Sequence, residues 1–160
     1  MNTLTSSLEF SHFPVMLSEI IQIASPEKGG LFIDCTFGGG SYSNALLKFP
    51  KTKVIGIDRD EAVISRANEL QKKYQKRFKF YQIKFSELDK ILNKNADTII
   101  FDLGLSSIQL KNLNRGFSFK SKNKLDMAMG LNNISAQEAV NNLSEKHLKL
   151  IIKILGEETE

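Results

Sequence analysis

The chain reads as an α/β protein, half of a doubly wound parallel sheet with expected strand order 3-2-1-4. Three observations carry that reading. Short apolar runs alternate with segments of helical periodicity. The first run, Leu31–Cys35, opens directly into Gly38-Gly39-Gly40. The second, Lys53–Asp58, ends on a carboxylate 18 residues after Gly40.

The elements follow in order. Leu17, Ile20, Ile21 and Ala24 share one helical face, so residues 14–25 are expected to form a helix. Pro14 suits its first turn, and Pro26 with Gly29-Gly30 ends it. After the glycines, Ser43–Phe49 reads as a helix stopped by Pro50. The run from Arg59 to Gln75 places Ala62, Val63, Ala67 and Leu70 at helical spacing. Its first turn is acidic, as the helix dipole favours. Phe78–Lys84 alternates and is aromatic, a third strand. "FSELDKILNK" reads as a short helix capped by Ser86, and Asp97–Leu103 as a fourth strand built on the apolar run "TIIF". Residues 104–133 are polar and without clear periodicity. Ser135 and Glu138 then make a capping box, and a last helix is expected over Glu145–Leu155, between Ser144 and Gly156.

A chain of 160 residues with 41% hydrophobic and 25% charged residues can bury a real core, which argues against general disorder. No apolar run approaches the ~20 residues of a membrane span. The N-terminal stretch lacks the basic region and long apolar run of a signal peptide. Cys35 is the single cysteine, so no internal disulfide can form, and a reducing, cytoplasmic location is expected. His12 and His147 have no companions at metal-ligand spacing, so no metal site is expected. The net charge of +4 is unevenly spread: −2 over residues 1–50, +9 over 51–124 and −3 over 125–160. The basic middle fits a polyanionic partner, or equally a set of solvated lysine-rich helix faces.

In a doubly wound sheet the ligand sits at the carboxyl ends of the strands, at the switch point between strands 1 and 4. Glycine there lets the backbone turn sharply and lets a ligand press against it. Asp58 at the end of strand 2 can accept hydrogen bonds from both hydroxyls of a ribose. The pair implies a nucleoside-containing cofactor. A dinucleotide is one candidate, although Gly38, Gly40 and Ser43 meet the G-x-G-x-x-G pattern only in part. S-adenosylmethionine is the other, and it better explains Asp102 at the end of strand 4, where the cofactor's ammonium and an incoming nucleophile need acceptors.

Six segments then occur in sequence: "HFPVMLSEI", "FIDCTFGGGSYS", "IGIDRD", "FSEL", "FDLGLSSIQL" and "RGFSFKSKNKLDMAMG". Together the chain resembles the bacterial 16S ribosomal RNA cytosine-N4 methyltransferase family over about residues 12–157. The resemblance implies a Rossmann-like class I methyltransferase core, incomplete, over residues 1–104. It implies a substrate loop and the start of an inserted helical domain over residues 105–160. It also implies a chain about twice as long, so a truncated or fragmentary member is expected, with strand 4 left on a sheet edge. Position by position, it implies S-adenosylmethionine contacts at Gly40, Ser41, Tyr42, Asp58, Phe85, Asp102 and Gln109. Asp58 would hold the ribose, Phe85 would lie beside the adenine, and Asp102 would stand near the methionine end. Asp102 is also the candidate catalytic group. The family has glycine and histidine where this chain has Ser41 and Tyr42, and a serine at 41 is free of strain only with negative φ.

The implied reaction moves a methyl group to the exocyclic N4 amine of a cytidine in the decoding region of 16S rRNA. The expected partner is therefore 16S rRNA or the small ribosomal subunit, with no membrane. The oligomeric state is open, a dimer included. "KNLNRGFSFKSKNK" interleaves basic and aromatic residues, and Arg115, Phe117, Phe119 and Lys120 are its candidate substrate contacts. A surface loop with Phe117 and Phe119 as buried anchors is the competing reading. A nicotinamide-dependent oxidoreductase and a non-catalytic RNA-binding remnant are the alternative functions.

Overall fold

A computed structural model describes residues 14–93, 95–131 and 134–158. His12 and the opening residues of "HFPVMLSEI" lie outside them. Four parallel strands form one sheet in the order β3-β2-β1-β4, as the sequence predicts. They are β1 (Gly30–Asp34), β2 (Thr52–Asp58), β3 (Phe78–Gln82) and β4 (Thr98–Ile100). β1 lies in register between Thr52–Gly56 of β2 and Thr98–Ile100 of β4.

The sheet is crossed by α1 (Leu17–Ala24), α2 (Ser41–Leu47) and α3 (Ile64–Tyr74). One core joins Phe32, Val54 and Phe78 of the strands to Leu46 and Leu47 of α2 and Ala67 and Leu70 of α3. α1 packs its Leu17, Ile20, Ile21 and Ala24 stripe on the same core. On the opposite sheet face a smaller cluster unites Ile33, Cys35 and Ile57 with Ile83, Leu88 and Leu92. Cys35 is thus a buried core residue, and its burial pushes the thiol up to about 11.

Several boundaries depart from expectation. α1 starts at Leu17 rather than residue 14, α3 at Ile64 after a 3₁₀ turn over Glu61–Val63, and β3 ends at Gln82 rather than Lys84. α2 starts at Ser41 rather than Ser43, because Gly40 takes the left-handed turn that admits the helix. The described part of the segment, residues 85–93, is not an α-helix capped by Ser86. It forms a 3₁₀ turn over Phe85–Lys90, and Glu87 reaches back to the Lys84 N–H at 3.3 Å. β4 is shorter than Asp97–Leu103. Its ladder to β1 ends where Asp34 pairs Ile100, since β1 then turns into the glycine loop and offers no further partner. The stretch 104–133 contains a helix, α4 (Ser107–Lys111), opened by a capping box of Ser106 and Gln109. The S-x-x-Q spacing at 106–109 carried that signal.

Beyond it, α5 (Ala136–Asn142) starts on the Ser135–Glu138 capping box, and α6 (Glu145–Leu155) runs from its Ser144 cap to Gly156. No helix among the described residues is long and apolar enough to cross a membrane.

Candidate active site

The carboxyl ends of β1, β2 and β4 surround a cavity of about 490 Å3. Ser41, Tyr42, Asp58, Phe85, Asp102 and Gln109 all line it. Gly40, the remaining residue expected there, stands just behind the wall as the N-cap of α2. Its φ is +74°, and a Cβ would lie 2.7 Å from the Phe37 ring, so the position needs glycine on both counts. Because Gly40 takes the left-handed conformation, Ser41 sits in the first helical turn, unstrained.

The glycine loop is tied to the neighbouring strand. Gly38 N–H donates to Asp58 Oδ2 at 2.8 Å, and Asp60 N–H donates to Asp58 Oδ1 at 2.9 Å. The Asp58 carboxylate, with about four acceptor sites, retains capacity for a further donor. Burial raises the Asp58 pKa, with the backbone N–H groups working against it.

Across the cavity, Asp102 is placed by its own backbone and by a phenol. Its N–H donates to Thr36 Oγ1 at 2.8 Å. The Tyr42 hydroxyl lies 3.2 Å from Asp102 Oδ2 and 2.5 Å from the Val15 carbonyl oxygen. Burial first, and the Asp102 charge second, push the Tyr42 phenol up to about 12, so it stays a donor. Phe85 is partly exposed at the rim and packs edge-on against Phe101 at 5.5 Å.

Gln109 is buried and hydrogen-bonded at both amide atoms. Its Nε2 donates to Asp60 Oδ2 at 2.8 Å, and its Oε1 accepts from Ser106 N–H at 2.9 Å. Met129 reaches the cavity from the loop that follows.

Two carboxylates escaped the sequence reading. Asp34, at the end of β1, is fully buried; Oδ2 accepts from the Ser43 hydroxyl at 2.7 Å. Its Oδ1 makes no hydrogen bond among the described residues. Burial raises its pKa to about 6 against the Ser43 bond. The signal was a carboxylate closing a wholly apolar strand. Asp60 is also buried, and it pairs with Arg115 at 2.7 Å. Its place two residues after Asp58, opening a helix, marks an N-cap, but nothing local marks its partner.

Of the four loop candidates, Arg115 is therefore turned inward. Its guanidinium holds Asp60 and the Ala128 carbonyl and stacks 5.4 Å from the Phe117 ring. Phe117 is half-buried, whereas Phe119 and Lys120 are exposed. None of the four lines the cavity.

Residues 9–160 match the model of the MraW methylase family. The chain belongs to that family. It is 44% identical over 150 residues to the ribosomal RNA small subunit methyltransferase H of Rickettsia massiliae (strain Mtu5), covering 93% of this chain and 49% of that one. The namesake from Orientia tsutsugamushi (strain Boryong) is 43% identical over 151 residues, covering 93% and 48%. The chain thus spans about half the length of these relatives. Among solved structures, one from Clostridium thermocellum, provisionally named an rRNA methylase, superposes with a TM-score of 0.50 at 16% identity. It covers 59% of this chain and 54% of that one, and supports the fold alone.

Proposed function

We propose that this chain carries the S-adenosylmethionine site of an rRNA methyltransferase that modifies the exocyclic N4 amine of a cytidine in the decoding region of 16S rRNA. The observation that carries the reading is the single cavity on which the glycine loop, Asp58 and Asp102 converge. Membership of a methylase family favours S-adenosylmethionine over a dinucleotide. The names of the relatives at 43–44% identity supply the rRNA substrate class.

The residues fit such a group. Asp34, whose Oδ1 has no hydrogen-bond partner among the described residues, lies behind the cavity wall and adds negative potential there, as a sulfonium and an ammonium require. Asp58 has acceptor capacity for ribose hydroxyls, and Phe85 offers an aromatic face for an adenine. When bound, S-adenosylmethionine supplies an electrophilic methyl carbon. The work of the chain is to orient the reactants, an effect worth up to ~7–11 kcal/mol. Asp102, held by Tyr42 and Thr36, would accept an N–H from the cytosine amine. That contact would help the nitrogen rehybridise, so that its lone pair is less conjugated with the ring. A base amine can reach the cavity only from an unpaired or extruded nucleotide. Exposed Phe119 and Lys120 are suited to stacking and phosphate contact.

The test is transfer of labelled methyl from S-adenosylmethionine to a 16S rRNA fragment or a 30S subunit, with the product nucleoside identified by mass spectrometry. N4-methylcytidine is expected. Label on another nucleoside overturns the substrate assignment, and labelling lost with Asp102→Asn at unchanged cofactor affinity supports its catalytic role.

A further inference from the structure

Asp60 ties two residues that are distant in sequence, Gln109 and Arg115, to the turn that it caps itself. Its Oδ2 accepts from Arg115 Nη1 at 2.7 Å and from Gln109 Nε2 at 2.8 Å. Its Oδ1 accepts from Ala62 N–H at 3.0 Å, capping the turn that leads into α3. The Arg115 and Asp60 side chains are only 16% and 3% exposed, so this is not a solvent-screened surface pair. Burial raises the Asp60 pKa, but Gln109, the Ala62 N–H and Arg115 together outweigh it and hold the carboxyl below its usual range.

The same place grips the far end of the loop. Arg59 Nε donates to the Gly130 carbonyl at 3.0 Å. A Cβ on Gly130 would lie 2.3 Å from the Arg59 carbonyl oxygen and 2.9 Å from Asp60 Cα. Residues 115–130 are therefore clipped at both ends onto residues 59 and 60, directly after Asp58. Met127 N–H closes the loop internally on the Arg115 carbonyl at 2.8 Å.

We propose that Asp60 is a positioning residue that couples the cofactor cavity to the 115–130 segment. It fixes the Gln109 amide on the cavity wall and, through Arg115, draws the basic-aromatic segment onto the Asp58 side of the cavity. A ligand seated against Asp58 and Gln109 stabilises the arrangement in which this clasp is closed. By linkage, closing the clasp strengthens the ligand's binding by the same factor. The nature of that ligand rests on the function proposed above.

The full chain serves for the test, as wild type, Asp60→Asn, Arg115→Met and the double variant. Calorimetry reads adenosylhomocysteine affinity, and hydrogen exchange reads peptides spanning residues 125–130. Each single variant is expected to weaken binding about tenfold, the size of one lost charge-assisted contact. The double variant is expected to be no weaker than the worse single. Adenosylhomocysteine slows exchange over 125–130 in wild type and not in the variants. Wild-type affinity in both single variants overturns the proposal, as do losses that multiply in the double, or ligand-induced slowing that survives in the variants. If Asp60→Asn fails to fold, Arg115→Met carries the comparison, since it leaves Asp60 its Gln109 and Ala62 donors. If wild type binds no adenosylhomocysteine, the cofactor reading falls. Ligand-free exchange then judges the clasp: faster exchange in Arg115→Met keeps it, and unchanged exchange overturns it.

Discussion

The sheet region and the C-terminal helices are both rich in apolar residues, yet they use them differently. Phe32, Leu46 and Ile57 are wholly buried, while Ile152 and Leu155 of α6 are 54% and 78% exposed. The helix itself is well formed, with Ser144 at its start and a stripe of Leu148, Ile151, Ile152 and Leu155 at helical spacing. Local sequence signals therefore suffice to specify α6 as a helix, but not to bury it. The β-strands, by contrast, exist through their neighbours: β1, paired on both sides, is buried at its centre, while β4 at the edge leaves Ile99 exposed. The cavity belongs to the buried region, and the segment 115–130 is the hinge of the comparison, being C-terminal in sequence but clipped to the end of β2.

The largest expected contrast is in stability. Leu46→Ala should cost about 2–5 kcal/mol through lost contacts and a cavity. Ile152→Ala should change stability by less than about 0.5 kcal/mol. Urea denaturation of the two variants measures both. Comparable losses would mean that α6 has a partner in solution.

A second contrast lies within the buried region and depends on pH. The Asp34 carboxyl ionises near 3.8 when unfolded and at about 6 when folded. The folded state therefore holds the proton over that interval. Its contribution to stability is full below about pH 4, declines as pH rises through 6, and is then flat. The total change is about 3 kcal/mol for a shift of about two pH units. Asp60, whose pKa is lowered, acts with the opposite sign. The difference between wild type and Asp34→Asn isolates the Asp34 share: the variant is expected to gain on wild type between pH 4 and 7.

The smallest contrast separates neighbouring glycines. Gly40→Ala forces a side chain into φ +74° against the Phe37 ring and should cost about 1–3 kcal/mol. At Gly39 nothing lies within 4 Å of an added Cβ and φ is not positive, so Gly39→Ala should stay within about 0.5 kcal/mol. Thermal melts of the two variants read the difference.

What the sequence discloses follows the same division. The capping signals at Ser135, Glu138 and Ser144 fix the start of α5, and with Gly156 both ends of α6, because a helix end is a local event. The strand order and the gathering of Asp58, Asp102 and Gln109 at one cavity were legible from the strand–helix alternation and the family motifs. The end of β4 was not, because it depends on where its partner β1 turns away. Nor was the inward turn of Arg115, since a basic residue between aromatics looks the same in sequence whether it awaits a phosphate or grips an aspartate 55 positions earlier. A carboxylate that closes an apolar strand marks Asp34 as unusual, but its partner, the Ser43 hydroxyl, is visible only in the fold.

The central claim is that one cavity, walled by the glycine loop and Asp58, receives an adenosine-bearing cofactor. Calorimetric titration of the chain with adenosylhomocysteine, and with NAD in parallel, tests it most directly when repeated on Asp58→Ala. The account predicts one site for adenosylhomocysteine, no measurable NAD binding, and a loss of at least about tenfold in the variant as ribose acceptors disappear. Undiminished binding by Asp58→Ala, or a preference for NAD, would contradict it.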